Sequence, residues 1–349
     1  MPRPNIVNFS DFHAHLWQDF AKPDALYTTD RFKKQLDVLE EVFSYAEENE
    51  ADILFNGDLF HKRMNIDVRV FNYVYDLFRK HKETTVYMIR GNHDSVTNSL
   101  YSPSSLEPFE ALENVQVVST LGKIETPYYD IYGVGYGEET DVAKEWIANQ
   151  VENLSEEKVN ILCAHIGVSG SVTGKYSHTL DGAFSLSDLY PEKFDIVTLG
   201  HYHKRQFLGG YGNVFYVGNT LQTSFSDEGQ DKGFYFIAID GKKWVMNFVK
   251  TSYTPFVTIN AENAPENLEG AYYQFVGNVE ESRAVKDLQE DSDLSNVRIS
   301  VQKDYSETPR INIKAGSSPQ EVTRKYVNKD YPKLESKALE IVQEAQQTI

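Results

Sequence analysis

Three short apolar runs near the N-terminus each stop at a residue able to bind a cation, and that arrangement restricts the chain to few architectures. Residues 5–10 end at Asp11-Phe12-His13, residues 53–56 run into Gly57-Asp58, and residues 85–90 end in Gly91-Asn92-His93-Asp94. Between them, residues 31–50 carry Phe32, Leu36, Leu39, Phe43 and Ala46, and residues 67–80 carry Phe71, Val74 and Phe78. Apolar positions three and four apart form one face of a helix, whereas a short unbroken apolar run is a strand buried on both faces. The predicted order is therefore β-α-β-α-β, the unit of a parallel sheet covered by helices. Open sheets of this kind build their sites at the carboxyl ends of strands. Here each of those ends bears ligand-type side chains.

The pattern recurs more loosely downstream. Residues 115–119 and 131–134 read as strands, 141–153 as a helix, and 159–164 as a strand ending at His165. Another strand, 196–199, ends at Gly200-His201-Tyr202-His203. Residues 214–217, 233–239 and 244–249 read as hairpin-like β structure, with Asp240-Gly241 a strong turn signal. After Thr251 the character changes. Strand-like runs at 256–260, 271–276 and 296–302 surround a polar helix near 280–288, which is enough for a small α+β module. Residues 317–349 are helical and charge-alternating, interrupted at Tyr331-Pro332. We therefore expect a large α/β domain over residues 1–252, a cap over 253–316 and a helical segment over 317–349.

At 349 residues the chain is long for one compact core, and its 40% hydrophobic content is ample for a packed interior. The single cysteine, Cys163, excludes an internal disulfide and fits a reducing compartment. It lies in an apolar run and reads as a small buried hydrophobe. No apolar leader follows Met1, and no stretch approaches the roughly 18 apolar residues of a membrane span. A soluble, cytoplasmic protein with no membrane association is the expectation. The net charge of −18 argues against unaided binding to a polyanion. Two divalent cations would outweigh the carboxylates of Asp11 and Asp58, however, and leave the site itself attractive to phosphate.

Six of the nine histidines, His13, His61, His93, His165, His201 and His203, fall in these motifs. Asp58 is the best bridging candidate, because one carboxylate can hold two cations at the roughly 3.5–4 Å separation of two-metal sites. Asp11, His13 and His203 with Asp58 would hold one ion; Asn92, His165 and His201 with Asp58 would hold the other. Oxygen and nitrogen ligands without thiolate suit Mn²⁺, Mg²⁺ or iron better than structural zinc. A water bridging such ions loses its proton near neutral pH and can attack phosphorus in line. His93 is then the natural stabiliser of phosphoryl oxygens or donor to the leaving group, and His61 could serve from the opposite side. Lys62, Arg63, Arg90, Lys204 and Arg205 flank the motifs and are candidate phosphate contacts, with the ordinary solvated role as the alternative. Tyr202 is a candidate groove residue; most other aromatics sit at core spacing. His15 reads as structural, and His81 and His178 as solvent-exposed.

The ordered set Asp-x-His, Gly-Asp, Gly-Asn-His-Asp, a lone His and Gly-His-x-His resembles the calcineurin-like metallophosphoesterase superfamily. Within it, Gly57-Asp58-Leu59-Phe60-His61 is similar to the SbcD-type nuclease branch, where that histidine takes part in DNA cleavage. Protein phosphatases of the superfamily carry Gly-Asp-x-x-Asp-Arg-Gly and Gly-Asn-His-Glu instead, and this chain lacks both. The run Gly218-Asn219-Thr220 through Phe225-Ser226-Asp227-Glu228-Gly229 also resembles that branch's Gly-Ser-Pro…Phe-Ser-Glu loop. The resemblance implies a four-layered α/β/β/α domain with a cap facing DNA. It also implies Mn²⁺-dependent exonuclease and endonuclease activity in DNA repair or recombination, and a C-terminal segment docked on an SbcC-like coiled-coil ATPase. Ala14-His15 in place of the usual Leu-Gly, and Gly-Asn-Thr in place of Gly-Ser-Pro, mark a divergent member of the kind a phage could encode. Two rivals remain open: an enzyme of the same fold acting on small phosphoesters, and a recombination-complex scaffold. A homodimer face could come from residues 67–80 and 103–113, although core packing explains their apolar residues equally well.

Overall fold

A computed structural model describes residues 2–24, 28–172, 179–180, 184–265, 267–291, 295–301, 313 and 316–347; His178 lies outside them. The chain opens with β1 (Asn5–Phe9), α1 (Asp30–Glu48), β2 (Ala51–Phe55), α2 (Val68–Lys80), β3 (Val86–Ile89) and β4 (Val115–Val118). There follow β5 (Leu121–Glu125), β6 (Tyr129–Val134), α3 (Thr140–Val151), β7 (Val159–His165), β8 (Ser171–Val172) and β9 (Thr179–Leu180). Next come β10 (Ile196–Gly200), β11 (Gln206–Phe207), β12 (Val214–Tyr216), β13 (Gly233–Asp240) and β14 (Lys243–Lys250). The remainder is β15 (Phe256–Ile259), β16 (Tyr272–Gly277), α4 (Val279–Asp291), β17 (Val297–Val301), α5 (Pro319–Asp330) and α6 (Glu335–Gln347).

Two six-stranded sheets form, in the orders β14-β13-β1-β2-β3-β4 and β11-β12-β10-β7-β6-β5. The period-2 alternation of strand side chains divides the apolar residues between three layers. Val7, Phe9, Ile53 and Phe55 pack beneath Phe32, Leu39, Phe43, Val74 and Phe78 of the first two helices. Their neighbours Ile6 and Leu54 face the other way and meet Ile131, Ile161 and Ile196 of the second sheet. On its far side that sheet packs Leu162, Ala164 and Leu199 against Ala143 and Ile147 of α3. The architecture is thus α/β/β/α, as the resemblance implied.

Register aligns the strand ends. Phe9 lies opposite Phe55 in the parallel β1–β2 pair, and Gly200 lies opposite His165 in the β10–β7 pair. Asp11 and Asp58 consequently leave the first sheet side by side, and His165 and His201 leave the second. Besides the two-residue strands β8, β9 and β11, β5 has no counterpart in the sequence pattern. Its Leu121-Gly122-Lys123-Ile124-Glu125 has no apolar run, because it is a half-exposed edge paired antiparallel with β6.

Beyond β14, β15-β16-β17 form a separate, wholly parallel three-stranded sheet. Its core is Ile259, Ala271, Tyr273, Phe275 and Val297. α5 and α6 pack against each other, and α5 buries none of its described residues. Tyr326, Tyr331, Leu334 and Ile341 are left exposed. Val70, Val74 and Phe78 of α2 lie in the main core, as does Phe109, so packing accounts for most apolar residues of both candidate dimer segments, while Val68 is exposed. His81, expected at the surface, is 5% exposed. Its ring stacks on Phe43 at 4.9 Å and its Nδ1 meets Glu47 at 2.8 Å, contacts that helix capping at the end of α2 creates. No helix among the described residues is long and apolar enough to cross a membrane.

Candidate metal centre

The ligand-bearing loops are held in a backbone conformation that ordinary residues avoid. Asp11 (φ 50°), His13 (51°), Asp58 (63°) and His201 (104°) all lie at positive φ, a region disfavoured for residues with a Cβ. Neighbouring loops fasten them: Asp11 N donates to Gly57 O at 2.9 Å, His13 N to Asp58 O at 3.0 Å, and Ala14 N to Leu59 O at 2.8 Å. Two glycines make room. A Cβ on Gly57 would stand 2.6 Å from His165 Nδ1, and one on Gly91 would collide with Asp58 Oδ1. Glycine is required there by close approach.

Seven side chains converge. His13 Nε2 and His203 Nε2 are 2.9 Å apart, and His203 Nε2 is 3.9 Å from Asp11 Oδ1. Asn92 Oδ1 lies 3.0 Å from both His165 Nε2 and His201 Nδ1. Asp58 Oδ2 sits between these groups, 3.7 Å from His13 Nε2 and 3.5 Å from His165 Nε2. Donors about 3 Å apart span one edge of an octahedron with bonds of ~2.1 Å. Asp11, His13 and His203 form one compact set of potential ligand atoms, Asp11, Asp58 and His165 another, and His13, His61 and His93 a third at the rim. The donor set is oxygen and nitrogen only, and buried lone pairs face one another across it. These residues fit divalent cations, and Asp58 lies between the two groups of donors.

Around them lies a supporting shell that the motifs do not announce. His165 Nδ1 meets the Asn56 carbonyl at 2.6 Å, which turns Nε2 toward Asp58 and Asn92. Asn56 is itself fixed in a buried ring of Asn8 and Thr198, with contacts of 2.7, 2.8 and 2.5 Å. Asp94 accepts the backbone N–H groups of Asp58 (2.7 Å), Leu59 (2.9 Å) and Gly91 (3.0 Å). Buried Lys232 donates to the His203 carbonyl at 2.8 Å and to Asp227 at 3.0 Å. Asp94 was findable, as the last residue of Gly-Asn-His-Asp. Nothing local marks Lys232 or Asn56.

Burial and mutual repulsion set the charge states of the metal-free site. Burial pushes the Asp11 carboxyl up and the His13 imidazole down. Burial acts to raise Asp58 too, but His165, His13 and His93 hold it well below the usual carboxylate range. Burial works against a proton on His165, yet the Asp58 carboxylate pushes it up to about 9. His201 falls to about 3 and His61 to about 4, each chiefly through burial. The site carries anionic Asp58 beside His13 and His201, which resist protonation, and beside His165, whose proton a cation would have to displace.

His93 and His61 border the cluster. Their rings stack at 22° with centroids 5.6 Å apart, and the His13 ring is 4.8 Å from His93 and 5.5 Å from His61. His93 Nδ1 meets the His61 carbonyl at 2.6 Å. Two of the candidate DNA contacts are corrected. Arg90 is fully buried, and its guanidinium donates to the carbonyls of Ser99, Leu100, Ser102 and Tyr136, so it fastens the 99–102 loop and cannot reach a phosphate. Tyr202 is 8% exposed and packs on Tyr216 in the core beside α3. Arg63 is half-buried and bonded to Asn98, Lys204 is half-buried, and Lys62 and Arg205 are exposed. His15 lies beside the site, its ring 5.2 Å from that of His61.

A four-layered α/β/β/α fold with carboxylate, amide and imidazole donors gathered at its strand ends defines a metal-dependent phosphoesterase. The chain belongs to the calcineurin-like phosphoesterases, whose family model matches residues 4–205. It is 27% identical over 212 residues to the SbcD component of the nuclease SbcCD from Staphylococcus epidermidis, covering 55% of this chain and 54% of that protein. It is 30% identical over 164 residues to the uncharacterized metallophosphoesterase YhaO of Bacillus subtilis, covering 44% of this chain and 37% of the relative. The chain thus matches about half or less of the length of these relatives. A dimetal phosphatase from Danio rerio aligns with a TM-score of 0.44 and 9% identity, over 72% of this chain and 98% of that one.

Proposed function

We propose that this phosphoesterase is a DNA nuclease, hydrolysing phosphodiesters with Mn²⁺ as its preferred cation and with His93 and His61 as its reacting imidazoles. The observation that carries the reading is the stacked His61–His93 pair beside the metal-ligand cluster. Two imidazoles there can serve both a phosphoryl oxygen and the leaving group. The similarity to a nuclease component supports the same substrate. Bound cations would neutralise phosphate charge and acidify a water. The chain's own part is to hold Asp58 between two ligand sets, to aim His165 through Asn56 and to seat His93 against the His61 carbonyl.

Purified protein with Mn²⁺ should degrade double-stranded DNA from its ends or cut single strands. Hydrolysis of bis-p-nitrophenyl phosphate with every DNA substrate left intact would sink the nuclease reading. That outcome would favour a second reading, action on small phosphoesters, which the net charge of −18 supports. We further take residues 1–252 as the catalytic domain, 253–316 as a cap and 317–349 as a docking hairpin for an SbcC-like coiled-coil ATPase. The exposed Tyr326, Tyr331, Leu334 and Ile341 support that last assignment. Co-purification with such an ATPase should be lost on deleting 317–349; association that survives the deletion overturns it.

A further inference from the structure

The His61 ring makes no hydrogen bond among the described residues, so packing alone orients it. Its nearest ring neighbour is Trp17, with centroids 4.4 Å apart at 45°, closer than His15, His13 or His93. Trp17 lies outside every ligand motif. Its indole N–H is buried and meets no acceptor among the described residues, so contacts of the ring, and not a hydrogen bond, hold it. One of those contacts is a cation. The Arg31 guanidinium lies over the indole at 5.0 Å, and also over Phe256 at 5.2 Å and Tyr272 at 5.1 Å. Arg31 is 5% exposed, and its fork donates to the carbonyls of Asp19 at 2.9 Å and Thr223 at 2.8 Å. A guanidinium suits this place because it stacks on rings and forks to carbonyls at once, which an ammonium cannot do.

We propose that Trp17 is the positioning residue of His61, and that Arg31 pins the indole to the first two strands of the three-stranded sheet. The assignment rests on the reading of His61 as a reacting imidazole. Phe256 belongs to β15 and Tyr272 to β16, so the rings supporting Arg31 come from the sheet outside the catalytic layers. The line of contact runs from that sheet through Arg31 and Trp17 to His61, and it touches no metal-ligand candidate before His61. Removing the indole therefore loosens His61 without disturbing the ligands. Misplacement of a reacting group by about 1 Å costs on the order of 100-fold in rate.

The test is a double-mutant cycle on the full chain with Mn²⁺, read on bis-p-nitrophenyl phosphate and on a DNA hairpin. Trp17→Ala should lower kcat by roughly 10- to 100-fold while KM and Mn²⁺ affinity stay unchanged. Trp17→Phe should restore most of the activity, and Arg31→Lys should fall between. In a His61→Ala background, Trp17→Ala should cause no further loss, since the group it positions is gone. Losses that multiply in the double variant overturn the proposal, as does a Mn²⁺ affinity that falls in step with kcat. Where Trp17→Ala does not fold, Trp17→Leu takes its place in the same cycle. A His61→Ala protein with full activity on both substrates instead refutes the role given to His61, and that result is distinct from multiplying losses.

Discussion

Asp94 supports Asp58 through the backbone: its Oδ2 accepts the N–H groups of Asp58 at 2.7 Å and of Gly91 at 3.0 Å, and its Oδ1 accepts that of Leu59 at 2.9 Å. Hydrogen bonds to a charged acceptor contribute about 1.5–3 kcal/mol each. Asp94→Asn keeps the shape but turns an NH₂ toward these donors. We expect a stability loss of about 2–4 kcal/mol by thermal melts and roughly 10- to 100-fold weaker Mn²⁺ binding by calorimetry. An affinity equal to wild type would show that Asp94 does not organise Asp58 for metal binding.

His93→Ala should behave oppositely. The contact of residue 93 to Asp58 Oδ1 is its backbone N–H, at 2.7 Å, which alanine retains. Mn²⁺ affinity should be preserved while cleavage falls by about 10²- to 10⁴-fold. Undiminished turnover would remove His93 from the reaction.

In the metal-free protein, His165 is pushed up to about 9 by Asp58 against the effect of burial. Folded protein thus keeps a proton that an unfolded chain, with an ordinary imidazole near 6.5, has released. The resulting stability is complete below pH 6.5 and is lost as pH rises through about 9. Chelated protein should melt at a lower temperature at pH 9 than at pH 6.5. His165→Asn should flatten that limb, and so should Mn²⁺, which takes the place of the proton. A wild-type melting temperature that is level across this window in chelator contradicts the argument.

Arg90→Ala should leave four loop carbonyls without their buried donor, at a cost of at least about 3 kcal/mol. The salt dependence of DNA binding should not change, because this guanidinium meets no phosphate. Lys204→Ala, by contrast, should reduce that salt slope without lowering the melting temperature. Weak DNA binding by an Arg90→Ala protein that melts like wild type would return Arg90 to the groove.

The parallel core of the first sheet and the seven converging side chains were legible because both are written locally. Each strand is an apolar run, and each candidate ligand is the last residue of a strand or lies within four residues beyond one. What escaped depends on partners distant in the chain. Arg90 looks like any cation beside a motif until the 99–102 loop folds over it, and His81 looks exposed until Phe43 and Glu47 of α1 meet it. Tyr202 sits inside a motif, yet the bend that follows β10 turns it into the core. Asn56 and Lys232 act through main-chain carbonyls, which no residue pattern announces.

The left-handed backbone at Asp11, His13, Asp58 and His201 has an evolutionary corollary. Such conformations cost a non-glycine residue of order 1 kcal/mol each. Glycine would relax any of the four, and each such change would delete a donor. Selection for thermostability and selection for turnover must therefore pull in opposite directions at these positions. A library sorted for folding alone should drift toward glycine there, whereas one sorted for phosphate release should hold the native residues, so these codons record which pressure a lineage has felt.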